Sequence, residues 1–194
     1  MAERRSALAE VLKPGVYGAA GPGPGIEIAE LRALAAVQVA AFDAGRAAAA
    51  IGTTLGTPAP SSRNGVATAG QATVLWTGPG RWLVVEPESR ALASLLSLDC
   101  PGDVAAITDL GQARTGLRVE GSKVRDLLAK LCSLDLDAVA FPPGTCAQTQ
   151  FGHIGVLLYC RAHDGFDVFV PRSFAVSAWE SILDAALEFG CRVS

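Results

Sequence analysis

Apolar positions along the chain fall into short runs whose spacing switches between the period of a strand and that of a helix. The first clear run is LAAVQVAAF, Leu34–Phe42, rich enough in Val and Ala to be a buried strand or the end of a helix. TVLW, Thr73–Trp76, and WLVVE, Trp82–Glu86, are strands separated by the turn sequence TGPGR, which predicts a hairpin. After Pro87 the spacing changes, and Leu92, Leu95 and Leu96 share one helical face. Val104–Asp109 reads as a further strand, and TGLRVE alternates Leu117 and Val119 with Arg118 and Glu120, as a sheet with one wet face would. Ser122 is placed to cap a helix whose stripe is Val124, Leu127, Leu128 and Leu131.

The C-terminal third repeats this grammar. Cys146–Phe151 and Ile154–Tyr159 flank Gly152-His153 as a second hairpin, and FDVFV follows as a strand. Beyond it, Ala175, Trp179, Ile182, Ala186 and Phe189 line one helical face, with Ser177, Asp184 and Glu188 opposite. Aligning Pro87 with Pro171 lays WLVVEPESRALASLL over FDVFVPRSFAVSAWE, matching Trp82 to Phe166, Val84 to Val168, Ser89 to Ser173 and Ala91 to Ala175. In both, Pro removes a ladder donor and ends the strand, and the Ser is placed to cap the helix. The echo predicts a duplicated α+β architecture of antiparallel hairpins with helices on one face.

Two stretches resist regular structure. Residues 1–33 open with a possible short helix and then pass through Pro14, Gly15 and GPGPG at Gly21–Gly25, which predicts an extended arm or linker. A phosphate-cradling use of these glycines lacks the following helix start. GTTLGTPAPSSRNG, Gly52–Gly65, reads as a surface loop. The expected organisation is an arm over 1–33 and a folded domain over 34–194, in halves of roughly 34–110 and 111–194.

Composition narrows the function classes. Half of the 194 residues are hydrophobic, 18% are charged and the net charge is −3, so no basic field draws nucleic acid. The longest apolar stretch, Ala33–Phe42, is too short to span a bilayer and contains Gln38, and no secretory leader is evident, so a cytoplasmic location is expected. Five widely spaced cysteines suit neither a disulfide framework nor paired metal ligands and read as reduced core thiols.

Residues able to do chemistry are few. His153 and His163 both lie in turn sequences outside any nucleophile or metal motif. Asp135 and Asp137 in SLDLD have the spacing of paired carboxylates but also that of a loop start, and Asp109 ends a strand where a turn or capping residue is the ordinary reading. No catalytic, cofactor-binding or metal-binding residue is assigned. Arg172 alone stands out: it precedes Ser173 at a helix start, where its echo has Glu88, and its guanidinium is placed to receive an anion or a partner carboxylate.

WTGPGRWLVV, LAKLCSLDLDAVAFPPGTCAQTQFGHIGVLL and FDVFVPRSFAVSAWESILDAALEFG together resemble the gamma subunit of heterotetrameric sarcosine oxidase, over roughly Val74–Gly190. The most specific part is the order LDLD, FPPG, AQT and VPRSFA before Trp179. The resemblance implies two ferredoxin-like halves, in a fold related to the folate-binding domain of the glycine-cleavage aminomethyltransferase. It also implies an accessory role beside alpha, beta and delta subunits, with the closest contact to alpha. Such a complex oxidatively demethylates sarcosine to glycine, passes the one-carbon unit to tetrahydrofolate and releases hydrogen peroxide. FAD, FMN, NAD and tetrahydrofolate are implied on the partner chains and none on this one. Similar gamma chains serve related complexes such as N-methylglutamate dehydrogenase, and a free-standing folate-binding aminomethyltransferase-like protein stays open beside both.

Overall fold

The structure is a computed structural model that describes residues 5–19, 23–87 and 91–194. In chain order the strands and helices are β1 (Gly15–Tyr17), β2 (Ile26–Glu30), β3 (Leu34–Ala41), α1 (Ala44–Leu55), β4 (Val66–Ala69), β5 (Ala72–Gly78), β6 (Arg81–Pro87), α2 (Leu92–Asp99) and β7 (Ala105–Asp109). They continue as β8 (Arg114–Glu120), α3 (Val124–Ala129), β9 (Thr145–Phe151), β10 (Ile154–Ala162), β11 (Gly165–Pro171), α4 (Ala175–Ala186) and β12 (Cys191–Val193). The chain divides into two compact units. One holds Ala33–Gln112 with Gly144–Ala147, and the other Met1–Arg32, Ala113–Pro143 and Gln148–Ser194.

The first unit carries a five-stranded sheet in the order β4-β5-β6-β3-β7. Without β4, the edge strand, its β3-α1-β5-β6-α2-β7 succession is the ferredoxin-like βαββαβ pattern. One sheet face supplies Val37, Val39, Val74, Trp82 and Val84 to a core that also includes Ala47, Ala50, Ile51, Leu92 and Leu96 of the two helices. These positions alternate along each strand because successive side chains point to opposite faces.

The second unit repeats the pattern as β8-α3-β10-β11-α4-β12 in a seven-stranded sheet ordered β1-β12-β2-β8-β11-β10-β9. Here β6-α2 corresponds to β11-α4, the two segments that echo each other in sequence. Both halves are therefore ferredoxin-like, as the resemblance implied, and they form the duplicated α+β architecture that the echo led us to expect. On α4, Ala175, Trp179, Ile182 and Ala186 are buried, while Ser177 and Asp184 are exposed, as is Glu188 in the 3-10 turn Leu187–Phe189 that follows.

The segment before Leu34 is not an arm. β2 is inserted between β8, which it pairs antiparallel, and β12, which it pairs parallel, and β1 closes the sheet edge against β12. The physical reason is the alternation in IEIAE, which sends Ile26 and Ile28 into the core on the face of Val119. Gly18 sits at φ 82°, where an added Cβ would run into the Leu187 backbone. Residues 7–11 form a turn closed by Leu12 N donating to Leu8 O at 2.8 Å, in place of the short helix expected there. Ala20–Pro22 of the GPGPG region lie outside the described residues.

Of the run Leu34–Phe42, Leu34–Ala41 is strand, and Phe42 lies in the bend before the next helix. The helix α1 that follows was not expected, and it shortens the loop anticipated from Gly52. Asp43 caps it by accepting a hydrogen bond from Arg46 N at 3.0 Å, and Gly56 ends it at φ 75°. The other two predicted caps differ. Neither Ser122 nor Ser173 makes a capping bond: α3 starts after Lys123 and α4 after a single 3-10 turn, Arg172–Phe174. Ser89, the third proposed cap, lies outside the described residues.

Candidate functional site

The carboxylates that the sequence offers for chemistry are occupied locally. Asp135 accepts from Asp137 N at 3.0 Å, Asp137 from Val139 N at 2.8 Å and Asp109 from Gly111 N at 2.8 Å, each an Asx-type turn. His153 is exposed in the β9–β10 turn, and His163 is exposed with Nδ1 2.6 Å from Asp164 Oδ1. Among the described residues no group of three or more His, Cys, Asp or Glu is arranged to hold a metal, and no helix is long and apolar enough to cross a membrane. All five cysteines are free, and burial pushes the Cys146 thiol up to about 12 and the Cys191 thiol up to about 11.

The polar network that sequence reasoning missed is built on Arg125. Its Nη1 donates to Leu136 O at 2.6 Å and to Phe141 O at 3.1 Å, and its Nε to His163 O at 3.0 Å. Nη2 lies 3.5 Å from Cys160 Sγ, and the guanidinium stands 5.1 Å from the centre of the Phe166 ring. Phe166 in turn stacks on Phe141 at 6.3 Å. One side chain on α3 thus ties the LDLD–FPPG connection to the sheet, using planar fork donors that a lysine lacks. A second pair is half-buried on the sheet, where Arg118 forks onto Asp167 across the β8–β11 ladder at 2.9 and 3.0 Å. Asp167 is 5% exposed, and this hydrogen bond raises the Arg118 pKa.

Arg172 lies at the end of the same ladder. Its backbone N donates to Ala113 O at 2.8 Å, and its Nη2 donates to Arg5 O at 2.6 Å, holding the N-terminal turn beside α4. Between them runs an open groove of about 840 Å³. Arg5, Glu10 and Val11 line one side, Pro171, Arg172 and Val176 the other, and Ala113 also faces it. Val176 of this wall is 37% exposed, and Phe174, next in the chain to the groove-lining Ser173, is 49% exposed. A shallower hollow of about 470 Å³ lies by Lys130, Cys132, Thr149 and Gln150, where Lys130 is committed to Glu188 at 2.8 Å.

This arrangement offers a half-buried guanidinium, an open groove and exposed apolar side chains. Arg172 was the residue singled out from sequence, and its bond to Arg5 could not be read there.

The chain matches curated gamma subunits of sarcosine oxidase from an Arthrobacter species, at 32% identity over 73% of this chain and 70% of the relative, and from Corynebacterium sp. strain P-1, at 28% over 84% and 81%. It is also similar to an aminomethyltransferase of Koribacter versatilis, at 35% identity over 43% of this chain but only 23% of that protein. Among solved structures, heterotetrameric sarcosine oxidase from Corynebacterium sp. U-96 contains a chain of the same fold, with TM-score 0.85, 24% identity and 96% of each chain covered. The glycine cleavage system aminomethyltransferase T of Bartonella henselae shares the fold over 82% of this chain and 45% of its own, with TM-score 0.63 at 15% identity. Residues 39–188 match the model of the sarcosine oxidase gamma subunit family, and the chain belongs to that family.

Proposed function

We propose that this chain is the gamma subunit of a heterotetrameric sarcosine oxidase, an accessory chain that stabilises an assembly of alpha, beta and delta partners. The observation that carries the reading is the family match over residues 39–188, supported by 32% identity to the Arthrobacter gamma subunit. The local occupation of Asp109, Asp135 and Asp137 by backbone amides adds to it, since these carboxylates are committed to turns. In this reading the complex demethylates sarcosine to glycine, hands the one-carbon unit to tetrahydrofolate and releases hydrogen peroxide. FAD, FMN, NAD and tetrahydrofolate sit on the other chains, and the assembly works in the cytoplasm.

The test is peroxide release by the four co-expressed chains, supplied with sarcosine and, in parallel, with N-methylglutamate. Peroxide formed from sarcosine supports the reading. Turnover of N-methylglutamate with a dye acceptor and no peroxide assigns the chain to a dehydrogenase complex instead. The similarity to aminomethyltransferases favours a second reading, folate binding by the chain alone. Calorimetric titration of the isolated chain with tetrahydrofolate decides it: heat of binding at millimolar ligand supports that reading, and its absence removes it.

A further inference from the structure

Charge matching among the half-buried arginines singles out one end of the β8–β11 ladder. Four described arginines, Arg114, Arg118, Arg125 and Arg172, are neither buried nor fully exposed. Arg118 has Asp167, and Arg125 has three carbonyls and the Phe166 ring. Arg114 has no ion pair or side-chain hydrogen bond among the described residues, and burial lowers its pKa with no opposing carboxylate. Arg172 has one carbonyl, Arg5 O, and no carboxylate among the described residues. The two unmatched guanidiniums belong to adjoining positions: Arg114 is the register partner of Pro171, the residue before Arg172, and Arg172 N bonds to Ala113 O, the residue before Arg114.

A guanidinium partly withdrawn from water with no anion beside it is destabilising in the free chain, and the cost is relieved when a carboxylate arrives to take its paired donors. Two acids near the groove are already engaged. Glu10, on the groove wall, is paired with Arg5 at 2.8 Å, and Glu30 accepts from Ser6 Oγ at 2.6 Å. The approach to Arg172 is open, through the groove of about 840 Å³ between the N-terminal turn and the start of α4, which Ala113, the residue before Arg114, also lines. Exposed Phe174 and Val176 flank it, so an occupant bringing apolar side chains as well as charge gains more than a small anion does.

We propose that this groove is a subunit interface that receives a carboxylate-bearing segment of a partner chain, with Arg172 on its wall as the charge anchor and Arg114, at the adjoining ladder position, drawn into the contact at its edge. The inference rests on the subunit reading above and adds where contact is made. Arginines that become desolvated at the centre of an interface are typical energetic hot spots, worth roughly 30-fold or more in affinity each.

The test is phenylglyoxal labelling of the wild-type chain, alone and within the co-purified assembly, read peptide by peptide with exposed Arg63 and Arg81 as references. Arg114 and Arg172 are expected to lose at least about fivefold of their labelling on assembly. In parallel, Arg172→Glu combined with Arg114→Gln is expected to weaken assembly about 100-fold or more and to remove most of its salt dependence. If the wild-type assembly forms and both arginines label as in the free chain, the interface lies elsewhere and only this inference falls. If inorganic phosphate protects both in the isolated chain and the partners do not, the site is one for small anions and the proposal is overturned. If no assembly forms at all, the subunit reading itself is lost, and this inference with it.

Discussion

Replacing Arg125 with Met keeps much of the side-chain volume while deleting every donor, and its cost follows from the contacts. Two part-buried carbonyls, Leu136 O and Phe141 O, lose a charged donor, and the exposed His163 O loses a third. A hydrogen bond to a charged group contributes about 1.5–3 kcal/mol when buried, and much less where water can replace it. The Phe166 contact adds about 0.5–1 kcal/mol. Methionine's packing against the Phe141–Phe166 stack returns some of this, leaving a net loss of about 2–3 kcal/mol. For a chain of 194 residues that loss lowers Tm by about 5–10 °C. Thermal unfolding by circular dichroism measures it, and limited proteolysis across residues 131–144 reports whether the LDLD–FPPG connection has come loose. Arg125→Lys should recover less than half of the loss, because an ammonium cannot fork between two carbonyls. A Tm within about 1 °C of wild type, with unchanged proteolysis, would refute the assignment of Arg125 as the tie.

Other expectations can be checked on the same material. Gly121 sits at φ 128°, where an added Cβ would run into the Gly25 carbonyl, so Gly121→Ala should cost at least about 2 kcal/mol in urea unfolding; a loss below about 0.5 kcal/mol would contradict that geometry. Ala33 holds φ 50°, a left-handed conformation that glycine adopts freely, so Ala33→Gly should raise stability by about 0.5–1 kcal/mol, and a loss would count against it. The Cys146 and Cys191 thiols, pushed up to about 12 and about 11, hold their protons more tightly folded than unfolded, where thiols titrate at about 8.5. Their contribution is complete below about pH 8.5 and declines as pH rises towards those folded values, so urea midpoints should fall between about pH 8 and about pH 10.5. The fall should be shallower in Cys146→Val, and an identical pH profile would refute the burial argument.

How much of this was legible in the sequence depended on how each element buries its apolar side. The β5–β6 hairpin, β11 and α4 announce themselves because large side chains recur at the period of the element, as Trp179 and Ile182 do on α4. Helix α1 is hidden because its buried stripe is mostly alanine, Ala47 and Ala50 with Ile51, interrupted by Gly45 and Gly52. The available signal was at its ends, in the Asp43 cap and the Gly56 stop. Strand β2 was concealed by its neighbours: the Gly-Pro run before it drew attention from the Ile26–Ile28 alternation. The duplication was readable because Pro87 and Pro171 end equivalent strands, but the inserted β2 was not, since nothing local specifies which strands flank it. Of the surface, Arg172 was visible by its place at a helix start. Arg114 was not, because what distinguishes it is the lack of a partner, and pairing is decided by tertiary contacts.

The central claim, that this chain works as a subunit, is tested most directly by co-expressing a tagged form with the alpha-, beta- and delta-like chains and measuring what co-elutes by native mass spectrometry. The account predicts one assembly containing all four chains, with the flavin absorbance travelling alongside the tag. A tagged chain that elutes as a stable, flavin-free monomer while the other three assemble without it would contradict the account.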